Sequence, residues 1–180
     1  MSEKLALFGG EKIFNEKVER YNSIGISEVD AVKKVIESGI LSQYLGEWDT
    51  DFYGGPKVKE FESDWSEYFN IKHSVAVNSN TSGLIIALGA IGLEPGDEVI
   101  VSPWTMSASA TAILVWNAIP VFADIEDETF NLDPASIEKN ISPYTKAIVV
   151  TNIFGHPARL YEIMEIAKKY KLKVIEDNAQ

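Results

Sequence analysis

The 180-residue sequence predicts an α/β fold, a three-layer α/β/α arrangement around a mainly parallel sheet. Two observations carry that expectation. From residue 74 onward short apolar runs alternate with segments of helical period, and the alternation does not stop before residue 180. Runs such as Val99-Ile100-Val101 and Ala147-Ile148-Val149-Val150 are apolar at every position, the pattern of strands covered on both faces. The expected strands lie at about 74–78, 98–102, 120–125, 147–152 and 173–177, with helices at about 81–92, 107–117, 134–140 and 159–170. Pro95-Gly96-Asp97 marks the first return to the sheet, and Asp133-Pro134 reads as a helix cap followed by a first-turn proline.

Before this alternation the pattern differs. Residues 1–25 carry little periodicity and read as an N-terminal arm that could hold short strands. Ser27 is expected to cap a helix with Asp30 three residues on, Val29, Val32 and Ile36 form its apolar stripe, and Ser38-Gly39 ends it. The stretch from Ile40 to Gly55 is aromatic and without period, and reads equally as a packed surface loop or as a substrate or interface loop. A second helix starts near Pro56, and its stripe of Val58, Phe61, Trp65 and Tyr68 reads as core packing.

Bulk properties narrow the function classes. A net charge of −11, from 16 basic against 27 acidic residues and no basic cluster, argues against a nucleic-acid partner. There is no cysteine for disulfide or thiolate chemistry, a composition compatible with the cytoplasm. The N-terminus lacks the pattern of a signal peptide, and no apolar run approaches transmembrane length. His73 and His156 have no ligand-spaced partners, so no metal site is expected. Neither a dinucleotide fingerprint, a P-loop nor a nucleophile elbow occurs.

Ligands of open α/β sheets bind beyond the carboxyl ends of the strands, and those ends supply a short list of polar groups. Asn78-Ser79-Asn80-Thr81-Ser82-Gly83-Leu84 turns from an apolar run into a helix. The unpaired N–H groups of a helix start, together with Ser and Thr hydroxyls, make a phosphate cradle, although the same residues also serve as a simple N-cap. The last strand delivers Glu176-Asp177-Asn178-Ala179-Gln180. A phosphate cradle and a carboxylate suit pyridoxal phosphate (PLP), which needs its phosphate anchored and an anion beside its ring nitrogen. Asp177 is the candidate anion; a strand-end Asp that caps a following helix is the plainer alternative.

From Gly25 to Gln180 the sequence resembles the N-terminal half of the DegT/DnrJ/StrS-type sugar aminotransferases. The matching blocks are Ser38-Gly39-Ile40-Leu41, Gly55-Pro56-Lys57-Val58-Lys59-Glu60-Phe61-Glu62, Val77 to Leu84, Pro95 to Ile100, Pro120 to Ile125 and Val174 to Gln180. The resemblance implies a fold-type-I PLP-dependent transferase, with residues 26–180 forming the first part of its large domain. It implies that Thr81 and Ser82 bind the coenzyme phosphate, Asp177 pairs with the pyridine nitrogen and Gln180 approaches the ring hydroxyl. Met106 falls where the family places an aromatic ring over the coenzyme, with Trp104 a possible substitute; Asn152 lies where many members have His.

The implied reaction moves an amino group, usually from glutamate, to a keto group of a nucleotide-linked sugar, in a homodimer with shared active sites. The Schiff-base lysine, in a Ser-x-x-x-x-Lys setting, falls beyond residue 180, and Lys168, Lys169, Lys171 and Lys173 do not match that setting. The chain is therefore expected to be a fragment, inactive alone and without a catalytic residue of its own. A non-catalytic binding or assembly module, or a fragment of a same-family sugar dehydratase with His for the lysine, are the alternatives. A strand at 74–78 would lack its later neighbours, which predicts an oligomer or a re-paired sheet. Light scattering should then give a mass above that of one chain, and a monodisperse monomer with that strand in its family position and unpaired would contradict the expectation.

Overall fold

Four short strands, all parallel, form the sheet: β1 (Glu98–Val101), β2 (Ile119–Phe122), β3 (Thr145–Thr151) and β4 (Lys173–Asp177), in the order β2-β1-β3-β4. The computed structural model describes residues 4–17 and 19–180 and divides into two units, Met1–Ser74 and Val75–Gln180. The sheet belongs to the second unit, with helices α3 (Asn80–Ala90), α4 (Ser107–Leu114), α5 (Pro134–Lys139) and α6 (Leu160–Tyr170).

The period of two in a strand sorts its side chains into two cores. Val99, Val101, Ala147 and Val149 pack with Leu84 and Leu88 of α3 and Ala112 and Ile113 of α4. Ile100, Ile148 and Val150 pack on the other face with Ile137 of α5 and Ile163 and Ala167 of α6. This is the expected three-layer arrangement, and it explains why β1 and β3 read as unbroken apolar runs. Each fully buried Ile or Val contributes about 1.5–3 kcal/mol relative to exposure. Asp133 caps α5 through its Oδ1, which accepts the Ala135 N–H at 2.9 Å, with Pro134 in the first turn as expected.

The expected strand at 74–78 is a correction. It is not one of the four strands, and Val75 and Val77 are 75% and 41% exposed. An apolar run makes a strand only where a neighbour offers a ladder, and the four strands present pair with one another instead. The run leads directly into α3.

The first unit contains α1 (Ile26–Ser38), α2 (Pro56–Tyr68) and the short 3-10 turns Ala6–Phe8 and Thr50–Tyr53, with no strand among its described residues. Helix α1 starts one residue before the expected cap: Gly25 is the N-cap, and Glu28, not Asp30, accepts its N–H at 2.7 Å. The Gly25 amide and the Ser27 hydroxyl hold the Glu28 carboxyl below the usual carboxylate range. Gly39 ends the helix in a left-handed conformation, φ 72°.

The aromatic stripe of α2 is a second correction. Phe61, Trp65 and Tyr68 are exposed, and the rings contact along the helix, with Phe61–Trp65 at 5.6 Å and Trp65–Phe69 at 4.7 Å. Periodicity identifies an apolar face but not what covers it. The stretch from 40 to 55 closes on itself, with the Gly54 N–H donating to Gln43 O at 2.9 Å and the Gly55 N–H to Ser42 O at 2.8 Å.

Besides their shared core, one polar contact ties α3 to the end of α4. Trp116, just beyond α4, donates its indole N–H to Ile85 O at 2.9 Å. A Cβ on Gly89 would lie 2.2 Å from the Trp116 ring, so only glycine admits the indole there. Gly89→Ala gains about 1 kcal/mol of helix propensity, but overpacking and the lost hydrogen bond cost about 1–3 kcal/mol each. The variant should therefore be less stable in urea denaturation; equal or higher stability would contradict the assignment.

Candidate functional site

The carboxyl ends of β1, β3 and β4 open into a cleft of about 350 Å³ lined by Thr105, Met106, Thr151, Asp177, Ala179 and Gln180, with Ile153 at its side. In a parallel sheet these ends face the starts of the following helices, so backbone N–H groups and short polar side chains collect there.

Asp177 is the last residue of β4 and is 4% exposed. A buried carboxylate needs donors, and three converge on it. Asn80 Nδ2 and the Ala179 N–H donate to Oδ1 at 2.9 and 3.2 Å, and Ser109 Oγ donates to Oδ2 at 2.7 Å. Ser109 is itself fully buried on α4 and lies 3.0 Å from Thr105 Oγ1, which is 3.2 Å from Thr151 Oγ1. An ionised carboxylate accepts only, so the Ser109 proton is committed to it. Thr105 must then donate to Ser109, and Thr151 to Thr105.

The start of α3 carries the other end of the site. Ser79 is the N-cap; its Oγ accepts the Ser82 N–H at 3.1 Å and donates to Ser82 Oγ at 3.0 Å. Capping is thus done by Ser79, which leaves the exposed Thr81 hydroxyl and the Ser82 hydroxyl proton outside the cap. The first two amides of the helix, those of Asn80 and Thr81, have no intrahelical acceptor, and the helix dipole favours an anion beside them.

Among the residues singled out from sequence, Met106, Asp177 and Gln180 line one cleft, while Thr81 and Ser82 stand at the α3 start. The two groups are joined by the Asn80–Asp177 hydrogen bond. Met106 is 76% exposed at the N-cap of α4. Trp104 turns to Phe130 instead, ring centroids 5.7 Å apart. Gln180 Oε1 accepts the Phe154 N–H at 3.0 Å, which leaves its amide NH₂ as the donating end. Asn152 is committed to the frame: Oδ1 accepts the Ala158 N–H at 2.8 Å, and Nδ2 donates to Glu176 Oε2 at 3.2 Å and to Asn178.

From sequence, Asn80 was part of the cradle stretch but had no link to Asp177, and Ser109, Thr151 and Asn131 had no assigned role. Asn131 is buried; it accepts the Ile153 N–H at 3.1 Å and donates to His156 O at 3.1 Å, holding the turn in which Phe154 has φ 56°. For a bulky residue that conformation costs about 1–3 kcal/mol. Ser109 sits in a run of small helix residues and gives no signal in the sequence.

This donor set fits PLP. An anion cradle at the α3 start and a buried acceptor at Asp177, tied together through one side chain, match a phosphate at one end of a ring and a protonated nitrogen at the other. The six lysines of residues 75–180 (Lys139, Lys146, Lys168, Lys169, Lys171 and Lys173) sit at helix ends and strand starts on the amino side of the sheet. Lys169 is tied to Glu138 at 2.6 Å, which raises its pKa.

In a separate hollow, Glu126 accepts from Thr129 Oγ1 at 2.8 Å and pairs with Arg159 at 3.0 Å. The Thr129 hydroxyl first, then Arg159, hold its carboxyl below the ordinary value of 4.5 against the cost of desolvation. A lowered folded pKa contributes stability above the unfolded value that is lost as pH falls through the folded one. Thr129→Val should therefore be less stable than the wild type in urea at about pH 7, with the gap narrowing at about pH 3. A gap independent of pH would contradict this.

The DegT/DnrJ/EryC1/StrS aminotransferase family model matches residues 27–180. The spore coat polysaccharide biosynthesis protein SpsC of Bacillus subtilis (strain 168) is 42% identical over 156 residues, 87% of this chain and 37% of its own length. GDP-perosamine synthase of Caulobacter vibrioides is 42% identical over 126 residues, 70% of this chain and 34% of its own. The crystal structure of NtdA from Bacillus subtilis with bound cofactor PMP superposes with a TM-score of 0.75 at 31% identity, covering 90% of this chain and 37% of that one. The chain thus spans less than half the length of these relatives.

Proposed function

The chain belongs to the DegT/DnrJ/EryC1/StrS aminotransferase family, whose solved relatives are PLP-dependent enzymes of fold type I, and we propose that it forms the coenzyme-binding part of a sugar aminotransferase. The observation that carries this reading is the buried Asp177, joined through Asn80 to the start of α3. When bound, PLP supplies an electron sink through which an amino group passes from a donor amine to an acceptor ketone.

The residues of this chain have distinct tasks in that reading. Thr81 and Ser82, with the first amides of α3, hold the phosphate. Asp177 accepts from the ring nitrogen and keeps it protonated, which maintains the electron demand of the ring. Gln180 donates its amide NH₂ to the ring hydroxyl, and Met106 covers a face of the ring with its thioether. In this reading these residues bind and orient the coenzyme, and none of them is assigned the proton transfer.

A keto group on a nucleotide-linked sugar is the proposed acceptor, and glutamate the proposed donor. The GDP-linked product in the name of one relative and the polysaccharide role in the name of another support this substrate class. A homodimer with shared sites and a cytoplasmic location belong to the same reading. No described helix is long and apolar enough to cross a membrane.

Calorimetric titration of the 180-residue chain with PLP tests the proposal. Saturable binding is expected, weakened about tenfold or more in Asp177→Asn, a change of at least about 1.4 kcal/mol. No binding, or equal binding by both, would contradict it.

A further inference from the structure

We propose that Asn80 and Ser109 are positioning residues that clamp the two oxygens of Asp177, leaving one acceptor site on Oδ2 aimed at a protonated ring nitrogen. The inference rests on the PLP reading above and assigns the groups that make Asp177 selective for such a ring.

Each carboxylate oxygen offers about two acceptor sites. On Oδ1 both are used, by Asn80 Nδ2 at 2.9 Å and by the Ala179 N–H at 3.2 Å. On Oδ2 one is used, by Ser109 Oγ at 2.7 Å. The remaining capacity is on Oδ2, and Asp177 lines the cleft. Rotation of the carboxylate would break donors from two different helices at once, so its plane is fixed before a ligand arrives.

The hydroxyl chain fixes the sense of the clamp. With Thr151 donating to Thr105, Thr105 to Ser109 and Ser109 to Asp177, every hydroxyl proton has an acceptor. In the reverse sense the Thr151 proton, on a residue 6% exposed, has no further acceptor in this chain of hydroxyls. The forward sense therefore holds, and Ser109 acts as a donor towards Asp177. A positioned acceptor of this kind discriminates between a ring with an N–H and the same ring with a C–H, because only the former completes the buried carboxylate.

The experiment compares two ligands on the 180-residue chain: PLP and its carbocyclic analogue, in which ring C–H replaces the nitrogen. Both carry the same phosphate, so changes in folding or in the cradle cancel in the ratio of their dissociation constants. The wild type is expected to prefer PLP about tenfold or more, and the preference should fall at least about threefold in Ser109→Ala and in Asn80→Ala, with Ser109→Thr restoring it. Asn80 is exposed, so its variant carries the test if Ser109→Ala does not fold. A preference kept in the variants, or equal weakening of both ligands, would overturn the clamp alone. A wild type that binds neither ligand, or both equally, would overturn the PLP reading and the clamp with it.

Discussion

The burial of one carboxylate constrains the second unit more than any other single feature. Asp177 lies at the end of β4 with 4% exposure, and its donors come from the starts of α3 and α4 and from the turn that follows the strand. An unpaired charge in that position would cost several kcal/mol. Helices, strand and turn must therefore meet there, and the rest of the unit is arranged so that they do.

The packing that brings them together is ordinary in kind. Alternate residues of β1 and β3 feed two cores, and the core containing Leu84, Leu88, Ala112 and Ile113 seats α3 and α4 on one face. Gly89 lets the Trp116 indole lie against α3 and reach Ile85 O. Asn80 and Ser109 reach the same carboxylate from the opposite ends of these two helices.

The sheet was legible because double-sided burial writes itself as unbroken apolar runs, as in Val99 to Val101 and Ala147 to Val150. Asp133-Pro134 and Gly39 were legible because capping and left-handed backbone favour few residue types. The segment at 74–78 misled because an apolar run states a preference for burial and not the presence of a partner strand. The α2 stripe misled for the same reason. Ser109 was illegible: a serine within a run of small helix residues signals nothing until the fold places it 2.7 Å from a buried carboxylate. The cradle was read in outline, but its capping residue is Ser79, and the link from α3 to Asp177 through Asn80 depends on a contact across 97 positions of sequence.

The account makes Asp177 the group that keeps a bound pyridine ring protonated, with the α3 start holding the phosphate of the same molecule. The most direct measurement is the ¹⁵N chemical shift of ring-labelled PLP bound to the chain near neutral pH. The account predicts the shift of a protonated pyridinium in the wild type and that of a neutral ring in Asp177→Asn. A neutral ring nitrogen in the wild type, or the same shift in both proteins, would contradict it.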